Sequence, residues 1–175
     1  MLFRSLIESS ILSLKNISIG PILEEKTGIP AFLENDVNAL TLGEKYFGKG
    51  QSYNNFLCVS LGSGIGAGVI INDDLYRGSH HLACEFGHMR IAESDSVNVC
   101  KCGKKGCLEA YASDGAIEDF YSNLTGMDAS IDKITGLASE GDLPALNSFS
   151  RAGTYLGYGI STLINLFDPE LILIG

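Results

Sequence analysis

The sequence predicts an α/β domain, and three features of the chain carry that prediction. Apolar, β-rich segments linked by glycines occupy the middle of the chain, between residues 56 and 78. Several segments with helical spacing follow them. Residues 169–175 then form a short apolar run typical of a buried strand. Strands, then helices, then a strand is an order found in α/β and α+β domains, and 175 residues suit one domain or a two-lobed part of a larger one.

The chain begins with two predicted helices and a short strand. Residues 2–16 have the spacing of an amphipathic helix, and residues 20–28 predict a second helix that ends at a glycine. Residues 29–35 predict a short strand with a polar end. Helical spacing and an acidic first turn predict a helix over 36–48.

The middle of the chain predicts an antiparallel meander. Residues 56–62 and 66–72 are apolar and β-rich, and a turn with a third short strand follows over 73–78. Beyond residue 106 the pattern becomes helical. We predict helices over 107–113, 114–124 and 130–141, and one or two buried helices over 143–168.

Composition and charge exclude several classes of function. A net charge of −9 argues against phosphate-neutralising contact with nucleic acid by this segment and against an anionic membrane surface. No apolar run approaches the length of a membrane span, and the N-terminus carries a glutamate and several polar residues where a signal peptide needs an apolar core. Five cysteines, three of them clustered, fit a reducing compartment better than a disulfide framework. We therefore expect a cytoplasmic protein.

The segment "LGSGIGAG", residues 61–68, is a candidate phosphate loop. Its glycines let backbone N–H groups approach a phosphate closely. A strand follows it, whereas a dinucleotide-binding loop needs a helix there, and the Gly-Lys-Ser/Thr of a Walker loop is missing. The alternative is a glycine-rich hairpin that binds no ligand.

The segment "CKCGKKGCLE" brings Cys100, Cys102 and Cys107 together in one loop. Three thiolates supply three of the four ligands that a structural zinc ion needs. The candidates for the fourth are His80, His81, His88, Cys58 and Cys84. His88 precedes Cys100 by a loop that closes easily, and Cys58 lies in a predicted strand that suits a buried apolar role. The alternative is three free thiols in a surface loop.

Carboxylates surround these two motifs. Glu34, Asn35 and Asp36 lie where a strand meets a helix, a usual place for a reacting group, although Asp36 could instead be only a helix cap. Glu85 precedes His88, and Glu109 follows Cys107, so a shared metal ion would bring the two glutamates together. Carboxylates and amides that converge near a phosphate loop suit a polyhydroxyl ligand, since hydroxyl groups both donate and accept hydrogen bonds.

In this order, "LENDVNA", "GSGIGAGVI", "EFGHM" and "CKCGKKGCLE" resemble the ROK family of bacterial repressors and sugar kinases over residues 20–175. The resemblance implies an actin-like, ribonuclease-H-like ATPase fold with a sugar between two lobes. It implies Asp36 as the general base. The implied groups are, for sugar binding, Asn35, Asp36, Glu85, His88 and Glu109; for ATP phosphates, Gly62, Ser63, Gly64 and Gly66; and for structural zinc, His88, Cys100, Cys102 and Cys107.

Other elements of the family are missing from this chain. They are the N-terminal Asp-x-Gly-Gly-Thr phosphate turn, the Gly-Gly element on the adenosine side, and the winged helix-turn-helix of the repressors. We therefore expect one sugar-binding region over 1–175, truncated at both ends, with one lobe largely complete, the other truncated, and an N-terminal helix of uncertain placement over 1–19.

The resemblance leaves three functions open. The first is the sugar-binding effector region of a transcriptional regulator that works as a homo-oligomer. The second is a sugar kinase that uses ATP and Mg²⁺, which the presence of Asp36 favours. The third is a zinc-stapled domain without a ligand. Because phosphoryl transfer needs charge neutralisation from both phosphate loops and Mg²⁺, we expect negligible kinase activity from this chain alone.

Overall fold

The computed structural model describes residues 6–9, 14–93 and 98–175. Its main sheet has four strands in the order β5-β4-β3-β6, with β3, β4 and β5 antiparallel and β6 parallel to β3. The strands are β3 (Phe56–Leu61), β4 (Ile65–Ile71), β5 (Asp74–Leu75) and β6 (Leu171–Ile174). The predicted meander is confirmed, and β6 adds the parallel neighbour that makes the sheet mixed.

Six helices accompany the sheet in the described part of the chain. They are α1 (Ile19–Thr27), α2 (Asp36–Phe47), α3 (Glu109–Ala112), α4 (Asp114–Thr125), α5 (Ile131–Ser139) and α6 (Leu143–Phe167). All helices predicted after residue 20 are confirmed, and the segment 143–168 is one helix. Gly28 ends α1 in the left-handed conformation, as a glycine C-cap does.

The predicted N-terminal helix is wrong over the residues that the structure describes. Residues 6–9 and 14–17 form an antiparallel pair, β1 (Leu6–Ser9) and β2 (Leu14–Ile17), with Leu6 opposite Ile17. Serines and β-branched residues weaken helix propensity here, and cross-strand pairing wins. The rest of the predicted helix, residues 2–5 and 10–13, lies outside the described residues.

The predicted strand over 29–35 is also wrong, because its backbone donors are used locally. The Ile29 N–H donates to Thr27 Oγ1, and the Ala31 N–H donates to Glu24 Oε1, at 3.2 and 3.0 Å. Pro30 has no N–H to offer a neighbouring strand. The segment therefore runs without a named strand into α2.

Side chains alternate between the two faces of the sheet, and each face has its own core. On one face Leu57, Val59 and Val69 pack with residues of α3 to α6. On the other, Phe56, Cys58 and Ile70 form a smaller core with Leu42 of α2. Cys58 is 2% exposed, and burial raises the pKa of its thiol to about 11, so this cysteine is a core residue. The sheet therefore lies between α2 on one side and α3 to α6 on the other.

Two glycines let helices approach their neighbours closely enough to shape the site. A Cβ at Gly68 of β4 would overlap the side chain of Thr41, so this glycine lets α2 lie directly on the sheet. A Cβ at Gly159 of α6 would lie 2.8 Å from atoms of both Leu108 and Phe86. These contacts fix α2 on one side, and the segments that carry Glu85 and Glu109 on the other.

No helix within residues 6–9, 14–93 and 98–175 combines the length and the apolar composition that crossing a bilayer needs.

Candidate functional site

A cleft of about 300 Å³ lies where the glycine loop, the start of α2 and the start of α3 meet. Its size is in the range of small-molecule sites. Four of the five predicted sugar-binding residues line it: Asn35, Asp36, Glu85 and Glu109. The predicted phosphate-loop residues line it as well: Gly62, Ser63, Gly64 and Gly66. The fold thus brings together residues that are up to 74 positions apart (35 to 109) in the sequence.

The start of α2 presents an open carboxylate to this cleft. Asn35, rather than Asp36, is the N-cap, and its side-chain oxygen accepts a hydrogen bond from the Asn38 N–H at 3.1 Å. Asp36 is the first helical residue, and among the residues that the structure describes its carboxylate accepts only from the adjacent Val37 N–H, at 2.9 Å. The capping role that the sequence left open for Asp36 belongs to its neighbour, so the Asp36 carboxylate remains exposed and able to accept from a ligand.

Glu34 is occupied by a partner that the sequence did not reveal. Arg77 donates through Nε and Nη2 to Glu34 Oε2 at 2.9 and 2.7 Å, and the Asn38 side chain donates to Oε1 at 3.2 Å. Burial alone would raise the pKa of Glu34, but the hydrogen bonds from Arg77, Asn38 and the Asn35 N–H outweigh it, and the pKa is lowered. Glu34 is therefore a tie between α2 and the loop after β5, since Arg77 begins the loop that leads to Glu85.

The glycine loop is bordered by two carboxylates. The Ile65 N–H donates to Glu109 Oε2 at 3.2 Å, and the Asp114 N–H donates to the Gly62 carbonyl at 2.9 Å. The Asp114 carboxylate lies 3.8 Å from the point where a Cβ of Gly62 would stand. Burial, followed by the negative charges of Glu118 and Asp132, raises the pKa of Asp114. The surroundings of the loop are therefore electronegative, and Asp114 is a neighbour that the sequence did not identify.

Four side chains form a candidate metal centre. The ligand atoms of His88, Cys100, Cys102 and Cys107 all lie within 4.8 Å of one another. Cys100 Sγ lies 3.7 Å from His88 Nδ1, and Cys102 Sγ lies 3.8 Å from Cys107 Sγ. Tetrahedral zinc with bonds of about 2.0–2.3 Å sets its ligand atoms roughly 3.3–3.8 Å apart, so three thiols and one imidazole fit a structural zinc ion. Of the five candidate fourth ligands, His88 is the one in the group.

The backbone of the metal loop holds three cysteines within reach of one ion. The Cys100 N–H donates to the Lys104 carbonyl at 2.8 Å, and isolated bridges join Val99 to Lys105 and Arg90 to Cys107. Gly103 and Gly106 have φ angles of 83° and 80°, which the turns need and which glycine adopts without strain. The loop therefore folds back on itself and directs the thiols toward one point.

The thiols differ in how readily they lose a proton. Burial raises the pKa of Cys100 to about 12 and also raises that of Cys107, whereas a hydrogen bond from the Lys104 backbone lowers the pKa of the exposed Cys102. Zinc binds thiolates, so a metal ion bound here would release protons.

Glu109 connects the metal centre to the cleft. It begins α3 two residues after Cys107, and its carboxylate contacts both the Ile65 N–H and Cys100 Sγ, the latter at 3.6 Å from Oε1. Glu85 precedes a 3-10 turn, Phe86–His88, whose last residue belongs to the metal centre. His88 itself is half-buried and is not among the residues that line the cleft, so its contact with a sugar stays a prediction.

Known proteins with this architecture regulate transcription or phosphorylate sugars. The model of the ROK family matches residues 5–175. A xylose repressor from Bacillus spizizenii is 38% identical over 160 residues, which are 91% of this chain and 41% of the repressor. The chain spans about half the length of the curated relatives it matches.

Solved structures agree on the fold. A ROK family glucokinase from Streptomyces griseus, crystallised with glucose and AMPPNP, superposes with a TM-score of 0.87 at 31% identity, over 98% of this chain and 60% of the kinase. A ROK family transcriptional regulator, a homologue of the E. coli MLC protein, gives a TM-score of 0.87 at 35% identity, over 99% of this chain and 47% of the regulator. The fold is thus the actin-like ATPase fold of ROK sugar kinases, of which this chain covers about half. With the family model matched from residue 5 to residue 175, the chain belongs to the ROK family.

Proposed function

We propose that this chain is the sugar-binding effector region of a ROK-family transcriptional regulator and that a structural zinc ion shapes its sugar cleft. The observation that carries the proposal is the cluster of His88 and three cysteines, a candidate metal centre that lies next to Glu85 and Glu109 in the chain, while both glutamates line the cleft. Zinc would supply structure, because four protein ligands leave no open position for a substrate. Reduced thiols of this kind need a reducing compartment, so we place the protein in the cytoplasm.

In this proposal, the acidic and amide groups of the cleft bind sugar hydroxyls. Asp36, Glu85 and Glu109 accept hydrogen bonds, and the Asn35 amide donates, because its oxygen is already used to cap α2. His88 would bind zinc through Nδ1, and its Nε2 would then be the nitrogen that faces away from the metal. Sugar binding would favour closure of the two lobes and so act on a DNA-binding module elsewhere in the intact protein, which we expect to be a homo-oligomer.

The alternative is a sugar kinase, and one observation favours it. The Asp36 carboxylate is exposed in the cleft and is free of the capping role, as a general base must be. In that case Gly62, Ser63, Gly64 and Gly66 would face the phosphates of ATP, whose Mg²⁺ would neutralise part of their charge.

Charge around the glycine loop supports the regulator over the kinase. Among the described residues that line the cleft, none is a lysine or an arginine. Asp114 adds a carboxylate beside Gly62, where a triphosphate would approach. A nucleotide polyanion is disfavoured there, whereas a neutral sugar is not.

Calorimetric titration with a panel of neutral sugars, xylose and glucose included, tests the proposal. We expect one sugar to bind at millimolar concentration or better, and we expect a coupled assay for ADP to find only trace turnover. In a longer version of the protein, Asp36→Asn separates the two functions: a base would lose kcat and largely keep sugar affinity. Absence of binding to every sugar would reject the effector role, and sugar-dependent ADP release above trace rates would establish the kinase.

A further inference from the structure

A second cavity, of about 320 Å³, lies where α3, α4 and α6 meet the entrance to the metal loop. It shares no lining residue with the sugar cleft. Its wall is mostly polar, and Arg151 of α6 is its one arginine among the residues that the structure describes. The cavity is therefore a separate place where a small molecule can bind.

Three aromatic rings surround the guanidinium of Arg151. Its central carbon lies 4.3 Å from the ring centre of Phe120 and 5.3 Å from those of Tyr111 and Tyr155. Cation–π contacts engage the faces of a guanidinium and leave the N–H groups at its edge available. Within residues 6–9, 14–93 and 98–175, Arg151 donates no hydrogen bond and has no carboxylate at ion-pair distance. Since these donors have no acceptor among the described residues, this half-buried arginine is suited to bind an anion, and its contacts with three rings already restrict its side chain.

Other groups in the cavity are hydrogen-bond acceptors. The side-chain NH₂ of Asn98 donates to the Ala110 carbonyl at 2.7 Å, and that of Asn123 donates to the Asp119 carbonyl at 2.8 Å. These bonds fix the amides and leave their oxygens to accept. The Asp119 carboxylate also lines the cavity, is exposed, and has no hydrogen-bond partner in the described part of the chain. A ligand that fits this cavity therefore has one anionic group that binds Arg151 and hydrogen-bond donors that bind the side-chain oxygens of the cavity.

The wall that Asn98 forms is anchored to the protein on two sides. The Asn98 N–H donates to the Tyr111 hydroxyl at 3.1 Å, and the Gly106 N–H donates to the Asn98 carbonyl at 3.1 Å. Tyr111 is 5% exposed, so the ring that stacks on Arg151 also fixes this wall. The backbone of Asn98 is therefore held in place beside the ring that Arg151 contacts.

We propose that this cavity is a binding site for a small carboxylate that also carries hydroxyl groups. Arg151 binds the carboxylate through its edge, and the oxygens of Asn98, Asn123 and Asp119 accept from the hydroxyls. The negative charge of Asp119 selects against anions of higher charge, such as phosphate dianions. The proposal is independent of what binds in the sugar cleft.

Calorimetry with glycerate, a carboxylate with two hydroxyl groups, tests the site. Glycerol lacks the carboxylate and acetate lacks the hydroxyls, so we expect glycerate to bind more tightly than either. Arg151→Gln should weaken glycerate binding by about tenfold or more, because a charge-assisted contact is lost. Lys133→Gln removes a positive charge from an exposed position of α5, and it should leave the affinity for glycerate unchanged. Equal affinity of glycerate for the wild type and Arg151→Gln, or no binding at all, would overturn the proposal.

Two further variants guard against a loss of folding. Arg151→Lys keeps the charge but loses the planar edge, and it should bind glycerate with an affinity between those of the wild type and Arg151→Gln. Asp119→Asn changes an exposed position of α4. It should reduce the ratio of the site's affinity for glycerate to its affinity for acetate, and it should allow phosphate to bind. An unchanged preference in Asp119→Asn would contradict the assignment of the acceptor. Sugar affinity, measured in the same variants, should stay at the wild-type value, which separates a failure here from a failure of the sugar site.

Discussion

The two walls of the cleft are built by different interactions. The wall at α2 is held by hydrogen bonds within the protein: Asn35 caps the helix, and Arg77 joins Glu34 to the next loop. The opposite wall carries Glu85 and Glu109 on segments that begin or end at the candidate metal centre. The first wall is stabilised by contacts between protein groups, whereas the second is expected to depend on a bound metal ion as well. Disruption of one wall should therefore leave the other largely intact.

Removal of a metal ligand should have the largest effect. Cys102→Ser deletes an exposed ligand without creating a core cavity, and we expect loss of bound zinc and a large fall in the temperature of unfolding. The free energy of zinc binding in small zinc modules, on the order of 10 kcal/mol, sets the upper limit of the loss. Metal analysis and thermal unfolding measure the two effects.

Cys84→Ala is the matched control for metal content. Cys84 is half-buried and lies outside the group of four ligand atoms, so its replacement should leave the zinc stoichiometry unchanged. Equal zinc content in Cys102→Ser and the wild type would contradict the assignment of the ligands.

Metal binding should also weaken as pH falls. Burial raises the pKa of Cys100 and Cys107, so protons compete with the metal for these thiols. The apparent zinc affinity is therefore expected to decrease steadily from pH 8 to pH 6, as measured by titration against a chelator of known affinity. An affinity that rises over this interval would exclude thiolate ligands.

Breaking the tie at the α2 wall should have an intermediate effect. Arg77→Met leaves the Glu34 carboxylate, 13% exposed, without its main donor, and we expect a loss of about 1–3 kcal/mol in unfolding free energy. The pKa of Glu34 is lowered in the folded chain, and this decides how stability changes with pH. The stabilisation from the Glu34 charge is fully present above the pKa of Glu34 in the unfolded chain, and it is lost as pH falls through the pKa of Glu34 in the folded chain. Denaturant unfolding at pH 7 and near pH 4 measures both.

Arg90→Met is the control for this charge. Arg90 is 59% exposed and pairs with Glu93 at 3.4 Å at the surface, where ion pairs contribute about 0–1 kcal/mol. If Arg77→Met and Arg90→Met lower the free energy of unfolding equally, the ion pair between Arg77 and Glu34 contributes no more to stability than a surface ion pair. Zinc content should be unchanged in each.

Helix capping should give a smaller effect. Asn35→Ala removes the side-chain acceptor at the start of α2, and we expect a loss of about 1 kcal/mol. Ser130 begins α5 without a side-chain cap hydrogen bond, so Ser130→Ala should cost clearly less. A comparison of the two by chemical denaturation isolates the cap, and equal losses would count against it.

Neutralising Asp114 should give the smallest change in stability, and this change should be a gain where the other substitutions cause a loss. Because its pKa is raised in the folded chain, its charge is destabilising above that pKa, and Asp114→Asn should raise the free energy of unfolding slightly at pH 7. The variant should also bind AMPPNP more tightly than the wild type if the carboxylate repels phosphates. Destabilisation by this substitution would show that the carboxylate has a structural role instead.

The sequence predicted the elements whose signals are local. The meander at 56–78 and α2 with its acidic start need only neighbouring residues, and they were found. Within the described residues, 6–9 and 14–16 were assigned wrongly because two neighbouring strands pair there, and 29–35 because Thr27 and Glu24 capture backbone donors. Spacing cannot reveal such partners.

The site divides in the same way. The cysteine loop and Glu109 are close in sequence, so their grouping could be predicted. The short loop before Cys100 made His88 a candidate ligand, and the resemblance to a family implied it as the fourth. Arg77 and Asp114 were missed because each meets the site across the fold, 43 positions from Glu34 and 52 (114 − 62) from Gly62. Their roles follow from contacts that only the assembled sheet and helices create.

The most direct test of the central claim is a sugar titration before and after removal of the metal. A chelator should abolish binding of the sugar that the chain binds best, and one equivalent of zinc should restore it, because we propose that the bound metal completes the positioning of Glu85 and Glu109. Unchanged sugar affinity in metal-free protein would contradict the account.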